Sequence, residues 1–382
     1  MTMDCHKRDY SKFKPAAYPV RHRKKDLFSL RLTLPVEYKA IVKEIRDLDR
    51  DLDRYVLSYD DYKDLVDEAY ADNIHWSVKI EGSNLSLEEV RRLTSRFTGK
   101  RSEEWNPGPR QEIINHLYTF FMRDSFRLPW GEDTVRIVHR ILMDGVNEAI
   151  VPGEFRDKEV SVYGPDGTEY FRACPVMHIG SELNGLLEWL NLSPYDEVVT
   201  ATVFFHEFES IHPFLDGNGR TGRTLFQILL QEFGLKNCKL CKFEAEMLSD
   251  TATYYDLLAY TDATGIYTQL VMYVVESLLA AYRKAVEEFR SKDQMFDLDE
   301  NCKLIIEKSR GIDSFTIRDV SGWIPALSER LLRSRLETMV GRGILEKLGA
   351  TRGLSYRFRD PFREVKWNIS GEYDLEREPL VK

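Results

Sequence analysis

Apolar residues recur along residues 36–58 at Ile41, Ile45, Leu48, Leu52 and Tyr55, spaced four, three, four and three apart, with arginine and aspartate filling the other faces. That spacing is the period of an amphipathic helix. The Asp-rich run Arg46 to Arg54 alternates in sign and reads as a solvated, salt-laced helix face rather than a cation site. Comparable patterns predict helices over 60–80, 86–97, 110–124, 133–144, 179–191, 196–210, 218–233 and 251–290. Ser86 with Glu89 three residues later is a capping-box start, and Gly234 is a stop. Residues 158–173 break the pattern: Val160, Val162, Tyr170 and Phe171 flank Gly164-Pro165-Asp166-Gly167, a β-hairpin signal inside a helical chain.

Beyond an acidic joint at Asp297 to Glu300 the order changes. A helix from 301, a short helix after Thr316 and a helix opening at Ser328 are stopped by Gly341-Arg342-Gly343. Two strands follow, 344–348 and 354–358, around a turn with Gly349 and Gly353. That order resembles a winged helix. Residues 301–359 carry 12 Lys plus Arg against 6 Asp plus Glu, in a chain whose net charge is −9. Ser328 caps the helix bearing Arg330, Arg333 and Arg335, and Arg352 and Arg357 fall on the wing. This arrangement suits a DNA groove, and suits a protein-docking or dimer module equally well. Residues 361–382 form a charged tail with no period.

A length of 382 residues at 43% hydrophobic content fits two to three soluble domains. No run approaches the roughly 18 apolar residues of a membrane span. The first 26 residues are basic and polar, unlike a signal peptide, so a cytoplasmic protein without membrane contact is expected. Five scattered cysteines do not resemble a disulfide framework. Cys238 and Cys241 have metal-ligand spacing, but no second pair follows and no histidine lies beyond position 212 to complete a zinc shell.

The chemistry concentrates in residues 212–223, His-Pro-Phe-Leu-Asp-Gly-Asn-Gly-Arg-Thr-Gly-Arg, between two apolar helical runs. Gly217-Asn218-Gly219 sits where the second helix begins, so unpaired N–H groups and the positive end of the helix dipole favour phosphate there. Arg220 and Arg223, three apart on that helix, are neighbours able to grip phosphate oxygens. Asp216 beside them makes sense as a ligand of Mg²⁺, which is usually held by one or two carboxylates plus substrate phosphates. His212 is the imidazole available to take a proton from an attacking hydroxyl.

These twelve residues match without departure the Fic signature His-Pro-Phe-x-Asp/Glu-Gly-Asn-Gly-Arg-x-x-Arg, and the chain resembles that family. The resemblance implies a mainly α fold, a Fic-type helical bundle with a β-hairpin flap, here followed by a small α+β winged-helix domain. It implies an enzyme, a protein adenylyltransferase that moves AMP from ATP to a Ser, Thr or Tyr hydroxyl of a target protein, and of itself, with Mg²⁺. His212 is then the general base and Asp216 the Mg²⁺ ligand. Asn218 with the amides of Gly217 and Gly219 forms the anion hole, and Arg220 and Arg223 bind the β- and γ-phosphates. The 158–173 hairpin corresponds to the flap that aligns a target segment as an added strand, and Gly153-Glu154-Phe155-Arg156 resembles the family's lead-in to it. Tyr254 and Tyr255 resemble the segment lining the adenine pocket.

Ser77-Val78-Lys79-Ile80-Glu81-Gly82 matches the family's inhibitory pattern Ser/Thr-x-x-x-Glu-Gly/Asn, in the class with an N-terminal inhibitory helix. Ser77 and Glu81 lie one turn apart. Glu81 paired with Arg223 takes the arginine needed by the γ-phosphate. The expected organisation is an N-terminal helical segment (1–105) with the inhibitory motif, a catalytic domain (106–295), and a winged-helix-like domain with tail (296–382). Homodimer formation is compatible with the family, and DNA or protein contact with 301–359. Two other functions fit the same residues: a DNA-binding regulator whose Fic domain senses nucleotide, and a Fic enzyme that uses another nucleotide or removes AMP.

Overall fold

The structure of the chain, a computed structural model, describes residues 8–22, 30–98, 110–163, 167–295, 298–309, 311–350 and 353–359. It divides into two units, Met1–Arg54 with Val66–Arg290, and Tyr55–Leu65 with Ser291–Lys382. Residues 164–166 of the predicted turn, Asp297, Arg352 and the 361–382 tail lie outside the described residues. Among the described residues no helix is long and apolar enough to cross a membrane.

The first unit opens with a short strand, β1 (Val20–Arg21), followed by α1 (Tyr38–Leu52). α1 buries Tyr38, Val42, Ile45, Asp49 and Leu52. Its outer face carries the expected short-range ion pairs, Lys43 to Asp47 at 2.7 Å and Arg54 to Asp51 at 2.7 Å. Asp49 corrects the picture of a wholly solvated face. It turns inward and accepts hydrogen bonds from the Tyr282 hydroxyl at 2.7 Å and the Asn237 amide at 2.8 Å. Burial raises its pKa despite those donors.

Then come the part of α2 (Tyr59–Lys79) from Val66 onward, α3 (Leu87–Thr98), α4 (Gln111–Met122) and α5 (Glu132–Met143). α3 starts at the predicted capping box: Ser86 N–H donates to Glu89 Oε2 at 2.9 Å, and Glu89 N–H to Ser86 Oγ at 3.3 Å. The hairpin is formed by β2 (Ser161–Tyr163) and β3 (Glu169–Arg172), antiparallel, and β1 adds in parallel on the other side of β3 to give the order β1-β3-β2.

Next are α6 (Ile179–Leu192), α7 (Glu197–Ile211) and α8 (Asn218–Glu232). α7 is capped by Asp196, whose carboxylate accepts from Val198 and Val199 N–H, and every residue of it except Glu209 is buried. It forms the centre of the unit, with α8 returning beside it. α9 (Phe243–Leu248), α10 (Thr251–Thr264) and α11 (Thr268–Ser291) complete the unit. The single helical run expected over 251–290 is therefore two helices. Gly265, at φ 71, ends α10 in the left-handed conformation that favours glycine.

In the second unit α12 (Glu300–Ser309), α13 (Ile317–Trp323) and α14 (Glu329–Gly341) precede an antiparallel hairpin of β4 (Leu345–Leu348) and β5 (Ser355–Phe358). Ile305, Ile306, Phe315, Leu332, Leu336, Met339 and Tyr356 form its core. A capping box of Thr316 and Asp319 starts α13.

Candidate active site

The loop between α7 and α8 owes its shape to five residues. His212, at φ 52 and ψ 61, is the one non-glycine residue with positive φ among those described, and Pro213 cannot continue the helix. Phe214 is fully buried and stacks on His139 with 3.6 Å between ring centroids. Gly217, at φ 78, precedes α8, and a Cβ there would lie 2.5 Å from Met143 Sδ. The Asn218 side chain turns back onto the loop. Its Oδ1 accepts from Phe214 N–H at 2.9 Å and its Nδ2 donates to Phe214 O at 2.8 Å, so the side chain braces the loop. The Gly217 N–H likewise donates to Asp216 Oδ1, at 2.6 Å.

Two histidines are held neutral. His212 Nδ1 lies 3.2 Å from the Glu209 carbonyl, which can only accept, so Nδ1 carries the proton and Nε2 keeps a lone pair. Burial lowers the His212 pKa to about 4. His139 accepts the Gly153 N–H on Nδ1 at 2.8 Å and donates from Nε2 to the Asp216 carbonyl at 2.9 Å. Burial lowers it to about 4 as well.

Asp216 is partly open, with 35% of its side chain exposed. Burial alone would raise its pKa, but the hydrogen bond from Asn147 Nδ2 at 2.8 Å and the Arg220 charge hold it below the usual range. Arg220 is clamped between Asp216, at 2.7 Å, and Glu112 of α4, at 2.5 Å. Burial raises the Glu112 pKa, with Arg220 opposing.

Arg223 gathers contacts from three segments. Its Nε donates to Ser77 Oγ at 3.0 Å, and its Nη2 to the Ser77 carbonyl at 2.9 Å and to Glu81 Oε1 at 2.8 Å. Glu244 of α9 lies 3.6 Å away. Burial works against the Arg223 charge, and Glu81, Tyr254, Glu244 and Glu209 more than restore it, raising its pKa. Burial pushes Glu244 up to about 7 and Glu209 up to about 8, with Arg223 pulling the other way.

The Glu81 carboxylate also lies against the start of α8, where a Cβ on Gly219 would fall 2.2 Å from Glu81 Oε1. Gly82, at φ 96, turns the chain immediately after it. Glu81 thus occupies the anion-favouring helix N-terminus that the sequence marks out for phosphate.

The tyrosine pair divides. Tyr254 is buried and hydrogen bonded to Arg223, so it presents no open ring, whereas Tyr255 is 50% exposed beside it. His206 is a satisfied core residue, with Nδ1 3.1 Å from Glu207 Oε1 and Nε2 3.2 Å from the Leu258 carbonyl. Cys238 and Cys241 are buried thiols whose pKa values burial raises.

An open groove runs beside β2, lined by Glu159, Val160, Ser161, Tyr163, Glu169 and Arg172. In the second unit several basic side chains pair with carboxylates of the same unit. Arg333 meets Glu329, Arg335 meets Asp299, Lys347 meets Glu337 at 2.6 Å, and Arg357 meets Glu346.

Glu112, His139, Asn147 and Glu244 also join the site. Each comes from a segment distant in the chain, with no motif to announce it. Arg156 stood only within the lead-in resemblance, yet its guanidinium reaches the His212 carbonyl at 2.7 Å.

Residues 129–230 match the model of the Fic/DOC family. The chain is 34% identical over 176 residues to a protein of Aedes aegypti called protein adenylyltransferase Fic, covering 44% of this chain and 33% of that one. It is 32% identical over 178 residues to the protein of the same name in Drosophila erecta, again covering 44% and 33%. The chain thus spans about a third of the length of these relatives. A solved Fic family protein from Desulfovibrio desulfuricans G20 superposes with a TM-score of 0.58 at 23% identity, over 87% of this chain and 98% of that one. It shows the shared fold.

Proposed function

We propose that this chain, which carries a Fic/DOC domain over residues 129–230, transfers the adenylyl group of ATP to a Ser, Thr or Tyr hydroxyl of a protein and is restrained by its own Glu81. The observation that carries the reading is the double engagement of one anion site. Arg223 and the N-terminus of α8 both face Glu81, where the terminal phosphate of a nucleotide would otherwise lie.

The groups present support the following reaction. The acceptor hydroxyl oxygen attacks the α-phosphorus, its proton passes to the free Nε2 of His212, and pyrophosphate leaves. A base with a pKa near 4 is unprotonated at neutral pH and ready to accept. Arg220 and Arg223 hold the β- and γ-phosphates and stabilise the charge that develops on the leaving group. Asp216, ionised and partly open, is the residue that would hold a magnesium ion. Bound there, magnesium would supply charge stabilisation on the transferring phosphoryl group. The hairpin's β2 edge, beside an open groove, is suited to pairing with an extended target segment. The exposure of Tyr255 supports a role for its ring in stacking on adenine.

Incubation of the full chain with labelled ATP and Mg²⁺ tests the proposal. A mass increase of one AMP that disappears in His212→Ala is expected. No transfer from any variant, Glu81→Gly included, overturns it. For the second unit, basic side chains paired within it favour a protein partner over DNA. Salt-dependent duplex binding would reverse that preference.

A further inference from the structure

Arg156 is 3% exposed, and its hydrogen bonds go to backbone carbonyls. Nε donates to His212 O at 2.7 Å, Nη1 to Lys158 O at 2.8 Å, and Nη2 to Cys174 O and, at 3.3 Å, to Ile211 O. Its own backbone N–H donates to Pro213 O at 2.9 Å. Two of these carbonyls, Ile211 and His212, end α7, where helix carbonyls lack partners and the dipole is negative. The other two, Lys158 and Cys174, stand at the two feet of the β2–β3 hairpin. There the ladder continues as Ala173 N–H to Val160 O at 3.1 Å.

A buried guanidinium that reaches four carbonyls is a spacer of fixed shape. Its planar fork sets the distance between the hairpin feet and the one left-handed side-chain-bearing residue of the loop. Lysine, with a single flexible ammonium, cannot reproduce that geometry. We propose that Arg156 is a positioning residue that ties the hairpin to the backbone of His212, so that the segment aligning the acceptor and the group taking its proton are held in one register. The proposal rests on the transfer reaction proposed above. With its side-chain donors on backbone carbonyls, Arg156 acts through the backbone of His212 and the hairpin.

The test uses the full chain carrying Glu81→Gly, with Arg156→Lys and Arg156→Gln added separately. Expected for both is a fall in kcat of about a hundredfold, the cost of misplacing a reacting group by about an ångström, with the ATP Kd within about twofold of the parent. Two further measurements do not need activity. In Arg156→Lys, which keeps the positive charge that also lowers the His212 pKa, the His212 imidazole, followed by NMR among Glu81, Glu209 and Asp216, should titrate nearer its ordinary value once its backbone is loosened and its burial relieved. Hydrogen exchange over 158–163 and 167–175 should quicken. An unchanged kcat overturns the proposal, as does loss of kcat and ATP binding together with the His212 titration unmoved. If the Glu81→Gly parent itself transfers nothing, the transfer reading fails, and the titration and exchange still decide whether Arg156 holds His212.

Discussion

Replacing Glu81 with glycine removes one contact from Arg223 and leaves the others. The bare attraction of a carboxylate and a guanidinium at 2.8 Å is ~6 kcal/mol at an effective dielectric near 20. Desolvation cancels most of it, so the net strength of such a charge-assisted hydrogen bond is roughly 1.5–3 kcal/mol. If a nucleotide must displace that contact before its terminal phosphate can seat, each 1.4 kcal/mol counts for about tenfold. Transfer should rise roughly 10- to 150-fold in Glu81→Gly, toward the lower end because the Glu81 side chain is 28% exposed. Stability should change little. Arg223 keeps Ser77 Oγ, the Ser77 carbonyl and the nearby Glu244, so it is not left as a lone buried charge. The assay is the initial rate of self-labelling with labelled ATP, with Tm measured alongside and Glu81→Gly/His212→Ala as the blank. Equal rates in wild type and Glu81→Gly would refute the reasoning. So would a Tm drop large enough to show that Glu81 mainly holds the fold together.

Other consequences are open to measurement. Asn147→Ala removes a donor that orients the Asp216 carboxylate, and the Mg²⁺ concentration for half-maximal transfer should rise about tenfold or more; an unchanged requirement would dissociate Asn147 from metal use. Glu209 holds a proton in the native state up to about pH 8 that an unfolded glutamate gives up near 4.5, so its contribution to stability falls as pH rises through that window. Tm against pH should therefore decline less steeply in Glu209→Gln than in wild type between those values. His212 and His139 have the opposite sign, since each is lowered to about 4 and binds its proton only after unfolding. Each should withdraw about 1.4 kcal/mol of stability per pH unit as pH falls from about 6.5 toward 4, and His139→Gln should flatten the acid limb of a Tm profile.

The legible parts of the chain were those carried by local rules. The capping box at Ser86, the turn of α7 into the His212 loop and the place of Glu81 beside Ser77 are each written within a few consecutive residues. What stayed hidden depends on long-range pairing. Glu112 meets Arg220 across 108 positions of sequence, and Asn147 meets Asp216 across 69. A lone Glu or Asn on a helix or loop carries no periodic signal for such a meeting. β1 is two residues long, too short for an alternation to register. Gly265 inside an apolar run was the available sign that 251–290 is not one helix. Asn218 shows the reverse limit: the motif singled the residue out, and only the backbone of Phe214 reveals that its amide faces the loop.

The stretch that matches the family model, residues 129–230, is not a cassette that could be lifted out intact. Arg220 and Arg223 lie inside it, but Glu112, Ser77, Glu81, Glu244 and Tyr254, which fix their guanidinium groups, all lie outside, as does the strand that seals one edge of the hairpin. A fragment trimmed to the recognisable core would keep the signature and lose the anchors. Grafting the signature into another protein would transplant the chemistry's spelling without its grammar, and a working minimal version has to be cut along contacts instead of along the motif.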